Sequence, residues 1–215
     1  AGWGQGGDLL ALCEDRVLKI LANKDALFNA DGNTNLTSTN NVLGTATPYS
    51  GEFGISTNPE SFASESYRAY FTDRTRGAVI RLSMDGITPI SDFGMRNYFK
   101  SNLKEYFRLI GSYDDKKNEY NLTLYNDDFL APPPSLPNAP ALLLKPSQTV
   151  TFKENVKGWV SFKSFAPENA ISCANEYYTF KEGDAYLHHV KKTDPVTGNE
   201  INRNTFYGNS KNSDL

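Results

Sequence analysis

The stretch of residues 61–91, SFASESYRAYFTDRTRGAVIRLSMDGITPIS, constrains the fold of this chain more than any other. Residues 67–72 and 77–83 are rich in aromatic and β-branched side chains, which pack well on the surface of a sheet. A polar turn at residues 73–77 separates the two runs. The Asp85-Gly86 pair favours a second tight reversal, because glycine accepts a positive φ. The sequence therefore predicts three short strands in succession, YRAYFT, GAVIRLS and ITPIS, as in one blade of a β-propeller.

Similar patterns of strands and turns recur along the rest of the chain. Residues 8–21 consist of two short apolar runs around Glu14-Asp15-Arg16, which predicts a hairpin, with a helix as the alternative. Further strands are predicted at residues 108–113, 119–125, 149–153, 159–165, 176–181 and 184–189. Together these strands give about four partial units of the size of propeller blades, at residues 8–21, 67–91, 109–165 and 170–207.

We therefore expect a mainly β fold: a β-propeller, or a propeller fragment of about four partial blades, with one inserted amphipathic helix. We expect residues 1–215 to form a single such region and to be a segment of a longer polypeptide. The helix is predicted at residues 92–109, with Ser91 or Asp92 as its N-cap, because apolar residues recur there at steps of three and four. These apolar residues are Met95, Tyr98, Phe99, Leu103 and Phe107.

Two stretches have the composition of loops rather than of core elements. Residues 23–41 contain Asp31-Gly32 and many asparagines and threonines, which predicts an exposed loop. Residues 126–148 hold most of the chain's prolines, including Pro132-Pro133-Pro134, and therefore predict an excursion rather than a central strand. We expect both stretches to contact neighbouring proteins, since binding sites often lie on loops held by a rigid scaffold.

The composition argues against several classes of protein. The formal net charge of -3 provides no basic surface to attract nucleic acid, so no nucleic-acid partner is expected. No apolar run approaches the roughly 20 residues that a helix needs to cross a bilayer, so no membrane span is expected. Cys13 and Cys173 are far apart in the sequence, which favours two reduced, buried thiols over a disulfide.

No residue pattern predicts catalysis, a cofactor or a metal. His188 and His189 are adjacent on a predicted strand and should point to opposite faces, which disfavours a shared metal ion. The turn at Asp114-Asp115 lacks the ligand spacing of a calcium loop, and motifs for a serine nucleophile, a phosphate loop or a dinucleotide site are missing. We therefore predict no catalytic, cofactor-binding or metal-ligating residue, no cofactor and no enzymatic activity.

Five residues are candidates for contacts with a ligand or partner. Arg74 and Arg76 in the predicted turn carry planar guanidinium groups that suit a carboxylated sugar, whereas a surface ion pair is the simpler explanation. Trp159, Tyr177 and Tyr178 have rings that suit stacking on sugars, whereas aromatic residues on strands most often pack in the core. The sequence leaves both alternatives open at each of these positions.

A succession of longer blocks carries a resemblance to a known class of proteins. The blocks are GEFGISTNPESFASESYRAYFTDRTRGAVIRLSMDGITPISDFGMRNYF, IGSYDDKKNEYNLTL, FKENVKGWVSFKSFAPENAIS, and YYTFKEGDAYLHH ahead of RNTFYG. In this order, over roughly residues 8–208, the chain resembles large virion structural proteins of tailed bacteriophages. We expect its relatives first among the crAss-like phages and related podoviruses.

The resemblance implies a non-enzymatic, β-propeller-containing component of the viral tail or its distal assembly. It implies a location in the virion, with other virion structural proteins and further copies of the chain as partners. Two alternatives remain open. The first is a propeller that binds a host-surface glycan for host attachment, through exposed aromatic residues in a cleft. The second is a propeller lyase or glycosidase, and a glycosidase needs two carboxylates about 5 to 9.5 Å apart.

Overall fold

The computed structural model describes residues 2–3, 8–28, 34–126, 145–190, 204–206 and 209–211. This part of the chain contains three four-stranded antiparallel sheets, one three-stranded sheet, one two-stranded hairpin and a single α-helix. No sheet closes on itself within the described residues. The predicted mainly β class with one helix is confirmed. No helix in the described ranges is long and apolar enough to cross a membrane.

Sheet A consists of strands β1 to β4, paired in chain order. The hairpin predicted at its start is confirmed, since β2 pairs with β3 across residues 13–16. The loop predicted at residues 23–41 is wrong, because β3 and β4 run through most of it as paired strands; residues 29–33 lie outside the described part. Backbone pairing needs no apolar side chains, and threonine favours strands, so a polar composition alone does not predict a loop. The strands are β1 Gly2–Trp3, β2 Leu9–Leu12, β3 Val17–Phe28 and β4 Thr34–Pro48.

Sheet B is a four-stranded meander that lies within residues 61–91. Its last three strands correspond to the three predicted ones, joined by turns at residues 74–77 and 84–85. Its short first strand, which pairs with the second through Ala63 and Ser64, was not predicted. The strands are β5 Ala63–Ser64, β6 Ala69–Asp73, β7 Ala78–Ser83 and β8 Gly86–Pro89.

Sheets C and D repeat the meander along the chain. Each of their predicted strands lies within two residues of its predicted bounds, and one further strand, β13, was not predicted. Most of the predicted proline-rich excursion falls on residues 127–144, outside the described part of the chain. Sheet C consists of β9 Arg108–Asp114, β10 Glu119–Tyr125, β11 Gln148–Lys153 and β12 Gly158–Lys163. Sheet D consists of β13 Asn169–Cys173, β14 Glu176–Lys181 and β15 Asp184–Leu187. A separate final hairpin consists of β16 Asn204–Phe206 and β17 Asn209–Lys211.

The helix is shorter than the predicted residues 92–109. Helix α1 spans Arg96–Asn102, and residues 90–92 form a separate 3₁₀ turn. Gly94 has a φ of +88°, a conformation that a right-handed helix does not contain, so neither Ser91 nor Asp92 caps α1. The apolar spacing correctly identifies Phe99 and Leu103, which are fully buried, but not Phe107, which lies beyond the helix and is 55% exposed.

The two faces of sheet B pack against different neighbours, because successive side chains of a strand point to opposite sides. On one face, Phe71 and Ile80 share a hydrophobic cluster with Leu10 and Val17 of sheet A. On the other face, Tyr70 belongs to a second cluster, which consists mainly of residues from sheet C and the segment around α1. Sheet B is therefore the layer between sheets A and C.

Tyrosine rings hold sheets B and C together. The ring of Tyr70 stacks on that of Tyr120 at a centroid distance of 4.8 Å and lies 5.8 Å from that of Tyr113. Its hydroxyl donates to Glu154 Oε1 at 2.9 Å, and Arg81 donates to Glu154 Oε2 at 3.0 Å. Burial raises the pKa of Tyr70, so the hydroxyl keeps the proton that it donates. The contact between sheets B and C thus combines buried rings with two hydrogen bonds to the carboxylate of Glu154, one from β6 and one from β7.

Candidate functional site

The face of sheet C that points away from sheet B is polar, and it packs on sheet D. Its side chains alternate along the strands with those of the apolar cluster described above. Most of them are buried and hydrogen-bonded to one another or to sheet D, as buried polar groups must be to avoid a desolvation penalty. We call this layer the polar seam, and it contains Ser112, Asp114, Glu119, Asn121, Thr123, Thr149 and Thr151 of sheet C with Tyr177 and Thr179 of sheet D.

Tyr177 is the centre of the polar seam. Its hydroxyl lies 2.8 Å from Ser112 Oγ and accepts a hydrogen bond from Asn121 Nδ2 at 3.3 Å. Asn121 in turn accepts one from Thr151 at 2.7 Å. Burial raises the pKa of Tyr177 to about 12, although the hydrogen bonds from Ser112 and Asn121 act in the opposite direction. Tyr177 therefore stays neutral near pH 7 and connects the two sheets.

Glu119 is the buried carboxylate of the polar seam, and two lysines neutralise it. Lys153 Nζ donates to Oε1 at 3.1 Å, and Lys163 Nζ donates to Oε2 at 3.0 Å. Burial by itself would raise the pKa of Glu119, but the hydrogen bonds and charges of Lys163 and Lys153 lower it below its ordinary value. The carboxylate is therefore ionised at neutral pH and joins β10 to β11 and β12.

The two histidines at the end of sheet D have different partners. His189 Nε2 lies 2.6 Å from Asp114 Oδ2, and His188 Nε2 lies 2.8 Å from Thr179 Oγ1. Asp114 also accepts the backbone N–H groups of Lys116 and Lys117 through Oδ1, which fixes the turn after β9. Within the described residues, no three histidine, cysteine, aspartate or glutamate side chains are grouped so that they could hold a metal ion.

The stability of this end of the polar seam should depend on pH through His188. Burial lowers the pKa of His188 below its ordinary 6.5, and His189 and Lys163 act in the same direction, while Asp114 opposes them. Because the folded-state pKa is the lower one, the unfolded chain binds the proton first, and stability falls as the pH decreases below about 6.5. We expect a loss of at most about 1.4 kcal/mol per pH unit from this single group.

Denaturant unfolding at pH 7.5 and pH 5.5 measures this dependence. This range lies above the ordinary titration of the carboxyl groups, and His188 and His189 are the only histidines in the sequence. His188→Asn keeps a hydrogen-bonding side chain that does not titrate, and it should flatten the dependence. An unchanged pH dependence in His188→Asn would contradict the assignment.

The two candidate arginines lie in the turn between β6 and β7 but have separate partners. Arg74 donates to the carbonyl oxygens of Lys104 and Tyr106, at 3.1 Å and 2.7 Å. Arg76 donates to Asp73 through its backbone N–H at 2.8 Å and through its guanidinium at 3.1 Å. Arg74 thus fastens the turn to the segment that follows α1, and Arg76 forms an ion pair.

Arg74→Ala should lower the free energy of unfolding by about 1 kcal/mol, because one partly buried and one exposed hydrogen bond to backbone carbonyls are lost. Arg96, whose side chain is 75% exposed and pairs with Asp92, offers a matched control. Arg96→Ala should change stability by less than about 0.5 kcal/mol. Urea denaturation of both variants distinguishes the two roles, and equal losses would contradict the role of Arg74.

Arg76 also lines an open cleft of about 330 Å³ beside sheet A. Below the cleft, buried Asp73 accepts hydrogen bonds from Gly54 N–H and Ser56 Oγ as well as from Arg76. The cleft brings together two guanidinium groups and a tyrosine ring, which suit a carboxylate on a sugar, but Asp15 and Glu52 also line it and balance the charge of the arginines. Its lining residues are Asp15, Arg16, Pro48, Tyr49, Gly51, Glu52 and Arg76.

The other side chains of this cleft were not predicted as site residues. The sequence placed Arg16 only at the end of the predicted turn of residues 14–16. Tyr49 and Glu52 follow the end of β4. Nothing in their spacing indicates that they lie beside Arg76, because the contact joins segments about 25 to 60 residues apart. Arg16 is already paired with Asp15 at 3.2 Å, so a ligand carboxylate has to compete with that contact.

The three candidate aromatic residues do not lie in one cleft. Trp159 packs on the ring of Phe99 at a centroid distance of 4.5 Å, and its indole N–H donates to the carbonyl of Ile90 at 3.0 Å. Tyr177 is buried in the polar seam. Tyr178, the next residue of β14, is half-buried on the opposite face of sheet D. Of the three, Tyr178 is the one placed on an outer face.

The two cysteines are free thiols, as expected, but they are not buried: Cys13 is partly exposed and Cys173 is exposed. Both lie next to hairpin turns, where no core covers them. No model of a known protein family matches this chain, and no curated protein matches its sequence.

Proposed function

We propose that the protein is a non-enzymatic structural component of a bacteriophage virion, in the tail or its distal assembly, and that its sheets are successive propeller blades. The observation that carries the proposal is the face-to-face packing of four consecutive sheets, A on B, B on C and C on D. Such a stack is a rigid platform whose surfaces hold fixed positions relative to one another. The resemblance of the sequence blocks to tail proteins supports the virion assignment.

The order of the strands supports the propeller interpretation. Tyr70 and Tyr120, which stack between sheets B and C, both lie on second strands. The indole of Trp159, on the fourth strand of sheet C, bonds to Ile90, which directly follows the fourth strand of sheet B. Strand β9 contacts both β5 and β13, so the first strands of three sheets are neighbours. Blades arranged around a common axis need this alignment of equivalent strands.

Charged contacts between the sheets support a scaffold role, because they restrict sliding of one sheet on the next. Glu154, in the turn between β11 and β12 of sheet C, bonds to Arg81 of sheet B, and both side chains are less than one-fifth exposed. Lys116 of sheet C pairs with Glu176 of sheet D at 3.1 Å. Removing one partner of the largely buried Arg81–Glu154 pair leaves a charge that water no longer solvates fully, so this contact favours one geometry, whereas the exposed Lys116–Glu176 pair contributes little.

Mass spectrometry of purified virus particles tests the proposal. Peptides from residues 61–91 and 108–125 should appear at an abundance comparable with that of known tail proteins, and they should remain after washing in high salt. Detection of the protein only in the lysate of infected cells, with none in particles, would contradict the virion assignment.

A second candidate function is binding of a carboxylated sugar in the cleft that contains Arg16, Tyr49 and Arg76. Saturation-transfer NMR with sialic acid should then give a signal that neutral galactose does not give. Arg16→Ala should abolish that signal, and this variant leaves the buried contacts of Asp73 intact. Equal signals from both sugars, or none from either, would contradict this candidate.

A further inference from the structure

The face of sheet D that points away from sheet C carries an exposed apolar patch. Ile171, Tyr178 and Leu187 are directly paired across β13, β14 and β15, so their side chains form one row. Phe180 lies two residues further along β14 on the same face. Ile171 is 55% exposed, Leu187 43% and Phe180 39%, and no described residue packs over them as a further layer. We call these four residues outer face D.

The opposite end of the stack has a second apolar face. In sheet A, Leu10 and Val17 point toward sheet B, so their neighbours in the strands point away from it. The register places these neighbours in two rows across β2, β3 and β4, and none of them belongs to the cluster shared with sheet B. The first row is Leu9, Ile20 and Ala46, and the second is Ala11, Leu18 and Pro48; we call these six residues outer face A.

We propose that outer face D of one copy binds outer face A of a second copy, in a head-to-tail contact that continues the order of the sheets. Within one chain, each of sheets A, B and C already covers its neighbour in this direction. Sheet D followed by sheet A of the next copy repeats the arrangement. None of the ten named residues is charged, and Glu176, which borders outer face D on β14, is already paired with Lys116, so the contact buries no unpaired charge.

The side-chain sizes on the two faces, and the number of faces left exposed, favour a head-to-tail contact over a contact between two identical faces. Outer face D carries large side chains, including the rings of Tyr178 and Phe180, whereas outer face A includes the small residues Ala11 and Ala46 and the flat Pro48. Bulky side chains need recesses opposite them to pack at the density of a protein interior. A pairing of two D faces would also leave both A faces exposed, whereas head-to-tail contacts that close into a ring cover every face.

The inference rests on the proposed structural role, but it can be tested separately from it. Light scattering on the purified chain should show that its mass increases with concentration. Leu9→Asp places a charge on outer face A and Ile171→Asp places one on outer face D, and each variant alone should associate at least about tenfold more weakly. Met84→Asp, at an 83% exposed turn of sheet B, should associate like the unmodified chain.

Mixing the two variants is the decisive measurement. The Leu9→Asp chain keeps an intact D face, and the Ile171→Asp chain keeps an intact A face, so the mixture should form dimers and stop there. A mixture that stays monomeric, or a Leu9→Asp chain that associates as well as the unmodified one, would overturn the proposal. An unmodified chain that is monomeric at every concentration would also overturn it.

Two further observations keep the test interpretable. Circular dichroism melting shows whether each variant is folded, and Ala46→Asp and Phe180→Asp replace the first pair if either variant is not. If the mixture forms dimers but virus particles contain none of the protein, the contact is supported and the virion assignment is contradicted. If particles contain the protein but the mixture forms no dimers, the virion assignment is supported and the contact is contradicted.

Discussion

Tyr70→Ala is expected to lower the free energy of unfolding by about 3–5 kcal/mol, the range for removing a fully buried aromatic ring. Tyr70 is 0% exposed, and its ring stacks between those of Tyr113 and Tyr120, so its loss leaves a cavity between sheets B and C. The substitution also removes the hydroxyl donor to Glu154. Denaturation followed by circular dichroism measures the change.

Two variants separate the ring from the hydroxyl and from non-specific effects. Tyr70→Phe keeps the stacked ring and removes only the bond to Glu154, which Arg81 still contacts, so its cost should be about 1–2 kcal/mol. Met84→Ala, at an exposed turn of the same sheet, should change stability by less than about 0.5 kcal/mol. A Tyr70→Ala chain as stable as the Met84→Ala chain would show that the stacked rings do not join the two sheets.

The strands could be predicted because their signals are local. β10 begins and ends at the predicted residues, since EYNLTLY follows a polar turn whose last residue, Asn118, has a φ of +53°. Asparagine tolerates this conformation better than most residues, so the turn is visible in the sequence. The sequence thus locates most of the hairpins, but the first predicted unit, residues 8–21, covers only part of sheet A, which continues to Pro48.

The wrong predictions of secondary structure occur where strand pairing or a single backbone angle determines the structure. Gly94 interrupts the apolar spacing of the predicted helix, and spacing alone does not show that its φ is positive. The polar strands β3 and β4 have the composition of a loop, but they pair with each other. Both cases show that side-chain patterns report which residues are buried more reliably than they report the path of an exposed backbone.

The positions of the candidate site residues are determined by tertiary contacts that the sequence does not show. Arg74 and Arg76 are two residues apart, yet one binds carbonyl oxygens beyond α1 and the other lines the cleft. Tyr177 and Tyr178 are adjacent, so strand geometry predicts that they lie on opposite faces, but not which face is covered. The covered face belongs to the polar seam, and the other belongs to outer face D.

Gly111→Ala is expected to destabilise the protein strongly, although it adds only one methyl group. A Cβ atom at Gly111 would lie 2.0 Å from the carbonyl oxygen of Ser61, a distance that no relaxation of a side chain can relieve. Ser61 cannot move freely, because its hydroxyl bonds to Asn58 and to the N–H of Thr72, and its carbonyl accepts the hydroxyl of Tyr120. We expect a loss of about 3 kcal/mol or more, at or above the usual upper limit for overpacking.

Gly158→Ala provides a control in the same sheet. Gly158 is also a strand residue without a positive φ, and a Cβ atom there would meet only the carbonyl oxygen of Val156, at 3.9 Å. Alanine should fit and restrict the unfolded chain, so stability should stay equal or rise by up to about 1 kcal/mol. Because both substitutions add one methyl group, a difference between their unfolding free energies measures how closely Ser61 approaches β9. Equal effects would show that sheets B and C do not meet at Gly111.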